Sequence, residues 1–146
     1  MTRRLPHIPV DIHDEHRHLR RLLGQIAAVL SAGQAPRATM ASHFCDLRDQ
    51  IARHFDHEED GGFFHAELEE APWLHERANT LLEQHPQFLA MLDDLCSVAQ
   101  CGADSREWWD EIATLFDSFM RQFSQHEEDE NTLMQDALSR DVGAED

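Results

Sequence analysis

The stretch "HFDHEED", residues 54–60, decides the fold, because a helical pattern of apolar residues runs into it and continues there with ionisable side chains. The segment that leads into it, "SHFCDLRDQIARHF", spaces its apolar residues three and four apart, at Phe44, Leu47, Ile51 and Phe55. This spacing predicts an amphipathic helix whose apolar stripe faces a core. Continued at the same spacing, the stripe reaches His54 and Glu58, which are one helical turn apart. The sequence therefore directs an imidazole and a carboxylate toward the protein interior.

Four helical patterns with short breaks cover the chain, and strand signals are nearly absent. The patterns occupy about residues 11–30, 36–71, 73–100 and 105–140. Each pattern has one histidine on its apolar face, and the second and fourth add a glutamate one turn later: His16, His54 with Glu58, His85, and His126 with Glu130. Four helices with short connections predict an all-α, up-down-up-down four-helix bundle. We expect a single domain over residues 1–146, with an N-terminal arm of about residues 1–10 and an acidic tail of about residues 140–146.

Six ionisable side chains on inward faces need a physical explanation. A lone core histidine is commonly satisfied by a backbone carbonyl, but a buried unpaired carboxylate is very costly. The six groups have two ways to avoid that cost, either as His–Glu ion pairs or as joint ligands of cations. Two divalent ions satisfy every group, because carboxylates can bridge two ions while imidazoles bind on either side. The pattern therefore favours a metal centre in the core of the bundle.

The composition and charge of the chain argue against several other classes of function. The chain has 146 residues, 41% of them hydrophobic, and a formal net charge of -17, which argues against nucleic acids and anionic membranes as partners. It shows no apolar leader and no membrane span, and its three cysteines fit a reducing cytoplasm. Cys96 and Cys101 could be redox-active, although reduced packing residues are the simpler interpretation. The acids inside "HEEDE", residues 126–130, are expected to form a solvated face.

The segments "DEHRHLRRLL", "HFDHEE", "LLEQHPQFLAML" and "FSQHEEDENTL" resemble the hemerythrin-like (HHE cation-binding) family. The resemblance implies a non-haem di-iron centre inside the bundle, with one or two ligands from each helix. Two positions depart from the pattern of the oxygen carriers. Leu89 stands where a second third-helix histidine is expected, and Asn131 stands where an aspartate is expected, with Glu130 one residue earlier. The resulting pattern, H / HxxxE / H / HxxxE, is similar to that of non-carrier members. The ligands implied are His16, His54, Glu58, His85, His126 and Glu130.

The resemblance also implies a function, although it assigns no catalytic residue. We expect two iron ions bridged by an oxo or hydroxo group, with manganese as the alternative metal. His16 and His54 would hold one ion, and His85 and His126 the other. Dioxygen, peroxide or nitric oxide would then react at the centre rather than be carried reversibly. The alternatives are a peroxide-decomposing oxidoreductase and a structural or iron-handling metal protein. His57 or Glu59 could replace the ligand missing at Leu89, and a homo-oligomer or a protein partner stays open.

Overall fold

A computed structural model of the chain describes residues 12–33, 35–60, 71–102 and 105–144. These residues form four helices, and no strand occurs within those ranges. The helices are α1 (Ile12–Ala32), α2 (Arg37–Asp60), α3 (His75–Gln100) and α4 (Arg106–Ala144), with a 3-10 turn at Pro72–Leu74 before α3. Each helix packs against the next along the chain, and α1 packs against α4. This arrangement confirms the predicted all-α four-helix bundle.

Local sequence signals explain several of the helix ends. Gly33 has a φ of +62° and donates its N–H to Val29 O at 3.1 Å, which ends α1 with a left-handed residue. The Ser105 hydroxyl accepts a hydrogen bond from the Trp108 N–H at 3.2 Å, so Ser105 is the N-cap of α4. Pro86 lies inside α3, which nevertheless continues as a helix on both sides of it.

The predicted boundaries agree with the structure to different degrees. The first and third helices agree within about two residues, which is the usual uncertainty of a helix end. The second pattern was expected to reach residue 71, but residues 61–70 lie outside the described part of the chain. The N-terminal arm lies outside it as well. The last helix continues to Ala144, into the segment expected to be an acidic tail.

A layer of polar residues divides the apolar core into two clusters. The larger cluster takes side chains from all four helices and includes the α2 stripe that the sequence predicted. The smaller cluster takes side chains from the 3-10 turn, α3 and α4. On α3, His85 falls between Leu81 of the smaller cluster and Phe88 of the larger one. The predicted site therefore lies between two apolar regions and away from solvent.

In the described part of the chain, none of the helices has an apolar stretch long enough to cross a membrane.

Candidate metal centre

Six buried polar side chains converge in the layer between the two apolar clusters. Each of them is at most 2% exposed. They form two overlapping groups of four, and within each group one ligand atom per residue lies within 4.8 Å of the others. Both groups contain both carboxylates, and each adds two imidazoles. We call this set the six-residue cluster: His16, His54, Glu58, His85, His126 and Glu130.

The first group combines the histidines of α1 and α2 with the two carboxylates. The Nε2 atoms of His16 and His54 are 3.1 Å apart. His54 Nε2 also lies 2.8 Å from Glu58 Oε1. Glu130 reaches this group from α4, with its Oε2 atom 3.6 Å from His16 Nε2. Three helices therefore contribute to the first group.

The second group combines the histidines of α3 and α4 with the same carboxylates. His126 Nε2 lies 2.5 Å from Glu130 Oε1, one turn along α4. His85 Nε2 is 3.8 Å from Glu130 Oε1 and 3.9 Å from Glu58 Oε1. Glu58 and Glu130 thus lie between the two histidine pairs, where each can contact both.

Hydrogen bonds on the outer side of three histidines fix the direction of their rings. His54 Nδ1 lies 3.1 Å from Glu15 Oε1, and His85 Nδ1 lies 3.3 Å from Glu59 Oε1. His126 Nδ1 lies 2.7 Å from the Gln84 amide oxygen. Since an ionised carboxylate and an amide oxygen only accept hydrogen bonds, Nδ1 is the donor in each case. This leaves the Nε2 lone pair facing the cluster, as in metal-binding histidines whose other nitrogen is hydrogen-bonded.

Aromatic rings from the larger apolar cluster pack against the same histidines. The Phe55 ring stacks on His85 with a centroid distance of 3.8 Å and an interplanar angle of 4°. Phe88 meets His126 edge to face at 5.1 Å, and Phe123 stacks on it at 6.2 Å. These contacts restrict rotation of the two imidazoles and keep water away from one side of the cluster.

Most of the inward-facing atoms are close to one another yet have no hydrogen-bond partner among the described residues. Both oxygens of Glu58 and of Glu130 are in this position, and so are Nε2 of His85 and of His126. Burying such groups without a partner is strongly unfavourable. Ligands of a shared cation have this arrangement, because their lone pairs point at the ion rather than at each other.

The separation of the first histidine pair agrees with the same interpretation. Two nitrogens bound at right angles to one ion, each at about 2.1 Å, are about 3 Å apart. The two Nε2 atoms of His16 and His54 are 3.1 Å apart. The residues present therefore fit cation binding.

Without cations, protons must balance the charge of the cluster. Burial alone would lower the pKa of His54, but the carboxylates of Glu58 and Glu15 outweigh it and raise that pKa to about 9. Burial also raises the pKa of Glu130 well above its usual value and lowers the pKa of His126 to about 4. Burial favours protonated Glu58 as well, yet the neighbouring imidazole of His54 holds its pKa below the usual value. Protons and cations thus compete for the same atoms.

Two residues considered as replacements for the missing ligand lie outside the cluster. His57 is paired with Glu15, with 2.7 Å between His57 Nδ1 and Glu15 Oε2. Glu59 accepts the hydrogen bond from His85 described above. Leu89 packs against the larger apolar cluster. In the structure Glu59 supports His85 from outside the cluster, and His57 contacts Glu15, the acceptor that holds His54.

Glu127 contradicts the expectation of a solvated acidic face. Its side chain is only 6% exposed, and its Oε1 atom has no hydrogen-bond partner among the described residues. Burial raises the pKa of this carboxyl to about 7. The sequence does contain a signal for this position, because Glu127 follows Phe123 by four residues and precedes Glu130 by three. The neighbouring Glu128 and Asp129 are exposed, as expected.

A surface cavity of about 460 Å³ lies between α1 and α2, beside the outer edge of the first histidine pair. Its lining includes Glu15, Arg53, His54 and His57. Small molecules can therefore approach the hydrogen bond between His54 and Glu15 from solvent.

Comparison with known proteins identifies the type of domain. The chain matches the family model described as the hemerythrin HHE cation binding domain over residues 7–99. The match covers the segments of α1, α2 and α3 and ends before α4, so His126 and Glu130 lie beyond it. Neither the curated proteins nor the solved structures give a match to this chain.

The burial of Glu127 leads to a stability prediction for the metal-free protein at pH 8. Glu127→Gln removes a buried charge whose Oε1 atom has no hydrogen-bond partner among the described residues, so we expect the free energy of unfolding to rise by about 1–3 kcal/mol. Denaturant unfolding followed by circular dichroism measures this change. The matched control is Glu128→Gln, at an exposed position on the same helix, with an expected effect within about 0.5 kcal/mol. A loss of stability in Glu127→Gln would mean that the carboxylate has a favourable partner.

Proposed function

Because the chain belongs to the hemerythrin HHE cation-binding family, we propose that its six-residue cluster holds two iron ions. We further propose that this di-iron centre binds or reacts with dioxygen, peroxide or nitric oxide, in sensing or handling rather than in reversible carriage. The observation that supports it most directly is the set of buried oxygen and nitrogen atoms that face one another without hydrogen bonds. Cations are the simplest partners for such atoms.

The two groups of residues suggest how the ions are divided. His16 and His54 hold one ion, and His85 and His126 hold the other. Glu58 and Glu130 are shared, because each belongs to both groups of four. Every helix then contributes to the centre, so metal binding also joins the four helices.

Iron suits this ligand set better than structural zinc does. A closed zinc site is tetrahedral and usually contains cysteine or histidine, whereas four imidazoles with two shared carboxylates suit a pair of ions with five or six ligands each. The chain has no tyrosine, so a phenolate ligand and a tyrosyl radical are both excluded. Manganese is the alternative metal. Non-haem iron supplies one-electron chemistry with small oxygen and nitrogen species.

The composition of the cluster favours a reaction with the small molecule over its reversible carriage. Leu89 occupies the position of an additional histidine, and both His57 and Glu59 are engaged in hydrogen bonds outside the cluster. The two ions therefore have equivalent protein ligands, and both keep places for a small molecule.

The surrounding residues limit which molecules can react. All six side chains are at most 2% exposed, so a large substrate cannot contact their inner atoms without movement of the chain. Dioxygen, peroxide and nitric oxide are small enough to enter. A cytoplasmic location and any oligomer or protein partner stay predictions.

Substitutions of an unshared histidine and of a shared carboxylate test how the ligands are divided between the two ions. We expect about two irons per chain in the unmodified protein, about one in His16→Ala and almost none in Glu58→Ala, because a shared carboxylate supports both ions. Metal analysis of the purified proteins gives these ratios. Glu128→Ala, at an exposed position on α4, is the control and should keep the full content. Two irons retained in Glu58→Ala would count against a shared carboxylate.

Glu15 should influence metal affinity without being a ligand. Glu15→Ala removes the acceptor that orients His54, so we expect iron affinity to fall about 10–100-fold. Competition with a chelator of known affinity measures the change. Asp14→Ala is the matched control, since Asp14 is an exposed acid that pairs with Arg17 on the same helix. Equal affinities in the two variants would show that the Glu15 hydrogen bond does not support the centre.

Mixing the anaerobically reduced protein with oxygen tests the reaction. We expect a lasting change in the optical spectrum and no recovery of oxygen when the solution is purged. Stopped-flow absorption and an oxygen electrode measure the two quantities, with Glu58→Ala as the control. Complete release of the oxygen taken up would support carriage instead. An unchanged spectrum would support a structural ion, and repeated turnover of added peroxide would support the oxidoreductase alternative.

A further inference from the structure

A pair of cysteines lies at the interface of α2 and α3, far along both helices from the six-residue cluster. Cys45 of α2 packs against the apolar cluster that contains Cys96 of α3. One turn further along, Arg48 of α2 is paired with Asp93 of α3. Seven residues further along α2, Phe55 stacks on His85, eight residues before Asp93 on α3, so the two helices are antiparallel. The position three residues before Arg48 therefore faces the position three residues after Asp93. In this register Cys45 and Cys96 are directly opposite each other.

The two thiols differ in their access to solvent. Cys45 is half-buried and lines a surface cavity of about 610 Å³, together with Ser42 and Gln100. The Gln100 amide donates a hydrogen bond to Cys45 Sγ at 3.5 Å. Cys96 lies beneath it and is only 8% exposed. A small molecule in the cavity therefore meets Cys45 first.

The environment of Cys96 makes it a poor first nucleophile. Burial, and to a smaller extent the neighbouring thiol of Cys45, raises the pKa of Cys96 to about 12. Because the thiolate rather than the thiol attacks peroxide, Cys96 reacts slowly by itself. Its suitable role is to react second, with the oxidised sulfur of Cys45 on the facing helix.

We propose that Cys45 and Cys96 are a peroxide-responsive site that closes into a disulfide between α2 and α3. In the first step the Cys45 thiolate attacks one oxygen of hydrogen peroxide, and the O–O bond breaks. The sulfur becomes a sulfenic acid, and the departing hydroxide takes a proton to form water. In the second step the sulfur of Cys96 attacks that of Cys45. The S–S bond forms, the S–O bond breaks, and the Cys96 proton leaves in a second water molecule. Two thiols are oxidised, and one peroxide is reduced to two waters.

This site is separate from the proposed metal centre. Cys45 precedes His54 by nine residues on α2, which corresponds to about 13 Å along the helix. The disulfide would nevertheless join the helix that carries His54 and Glu58 to the helix that carries His85. The bridge would therefore fix the distance between two parts of the bundle that contribute to the cluster.

The remaining cysteine provides a matched control. Cys101 is exposed and follows the last turn of α3. Sequence spacing alone suggests Cys96 and Cys101 as a pair, whereas the register of α2 and α3 places Cys45 opposite Cys96. Cys101→Ser therefore removes the competing thiol without changing the core.

The experiment treats the full-length protein with hydrogen peroxide, with its metal and again after chelation. We expect reactive thiols to fall from three to one in the unmodified chain and from two to none in Cys101→Ser. Peptide mapping should show a Cys45–Cys96 link that a thiol reductant reverses. Unchanged thiol counts, a link that contains Cys101, or a link between chains would overturn the proposal. A disulfide that forms only in the metal-loaded protein would also overturn it, because the oxidant would then come from the metal centre.

Two further variants test the order of the steps. In Cys96→Ser, peroxide should produce a sulfenic acid at Cys45 that dimedone traps. In Cys45→Ser, Cys96 should stay reduced. Oxidation of Cys96 at the rate of the unmodified chain in Cys45→Ser would contradict attack by Cys45. The mapping in Cys101→Ser needs no substitution in the core, so it decides the proposal even if either core variant fails to fold.

Discussion

The burial of Glu58 and Glu130 is the constraint on which the rest of the structure depends. Two carboxylates in an apolar bundle need positive charge nearby, and their oxygens find no hydrogen-bond donor among the described residues. In the metal-free protein this need is met by protons, which explains the raised pKa values of His54 and Glu130. Cations meet the same need, and their binding releases these protons. Folding of the bundle and occupation of its centre are therefore linked.

The fold satisfies this constraint by placing one histidine from each helix at the same level. Apolar clusters above and below this level provide the packing energy that a polar layer cannot supply. Acceptors on the outside, such as Glu15 and Gln84, hold the imidazoles in the orientation that directs Nε2 inward. Rigid helices with such outer hydrogen bonds favour a preorganised site. Glu127 is an exception, because it brings a third buried carboxyl to the same level, and its Oε1 atom has no hydrogen-bond partner among the described residues.

The interface of α2 and α3 connects the two chemistries inferred for this protein. Phe55 stacks on His85 near the cluster, and the Arg48–Asp93 ion pair and the two thiols follow toward the other end of the bundle. As proposed, the metal centre and the thiol pair would both react with small oxidants, but they use different atoms and lie apart. The shared helices provide a physical route by which a bridge at one end could restrict movement at the other.

The sequence by itself determined the all-α bundle and the choice of six inward-facing residues. A period of 3.6 residues shows which side chains share a helix face, and a histidine on a buried stripe is visible at that level. Only the tertiary structure decided how the helices meet: which acceptor holds each histidine, the burial of Glu127, and the opposite positions of Cys45 and Cys96. These depend on the rotation and axial register of one helix against another. The periodicity of a single helix contains no information about either quantity.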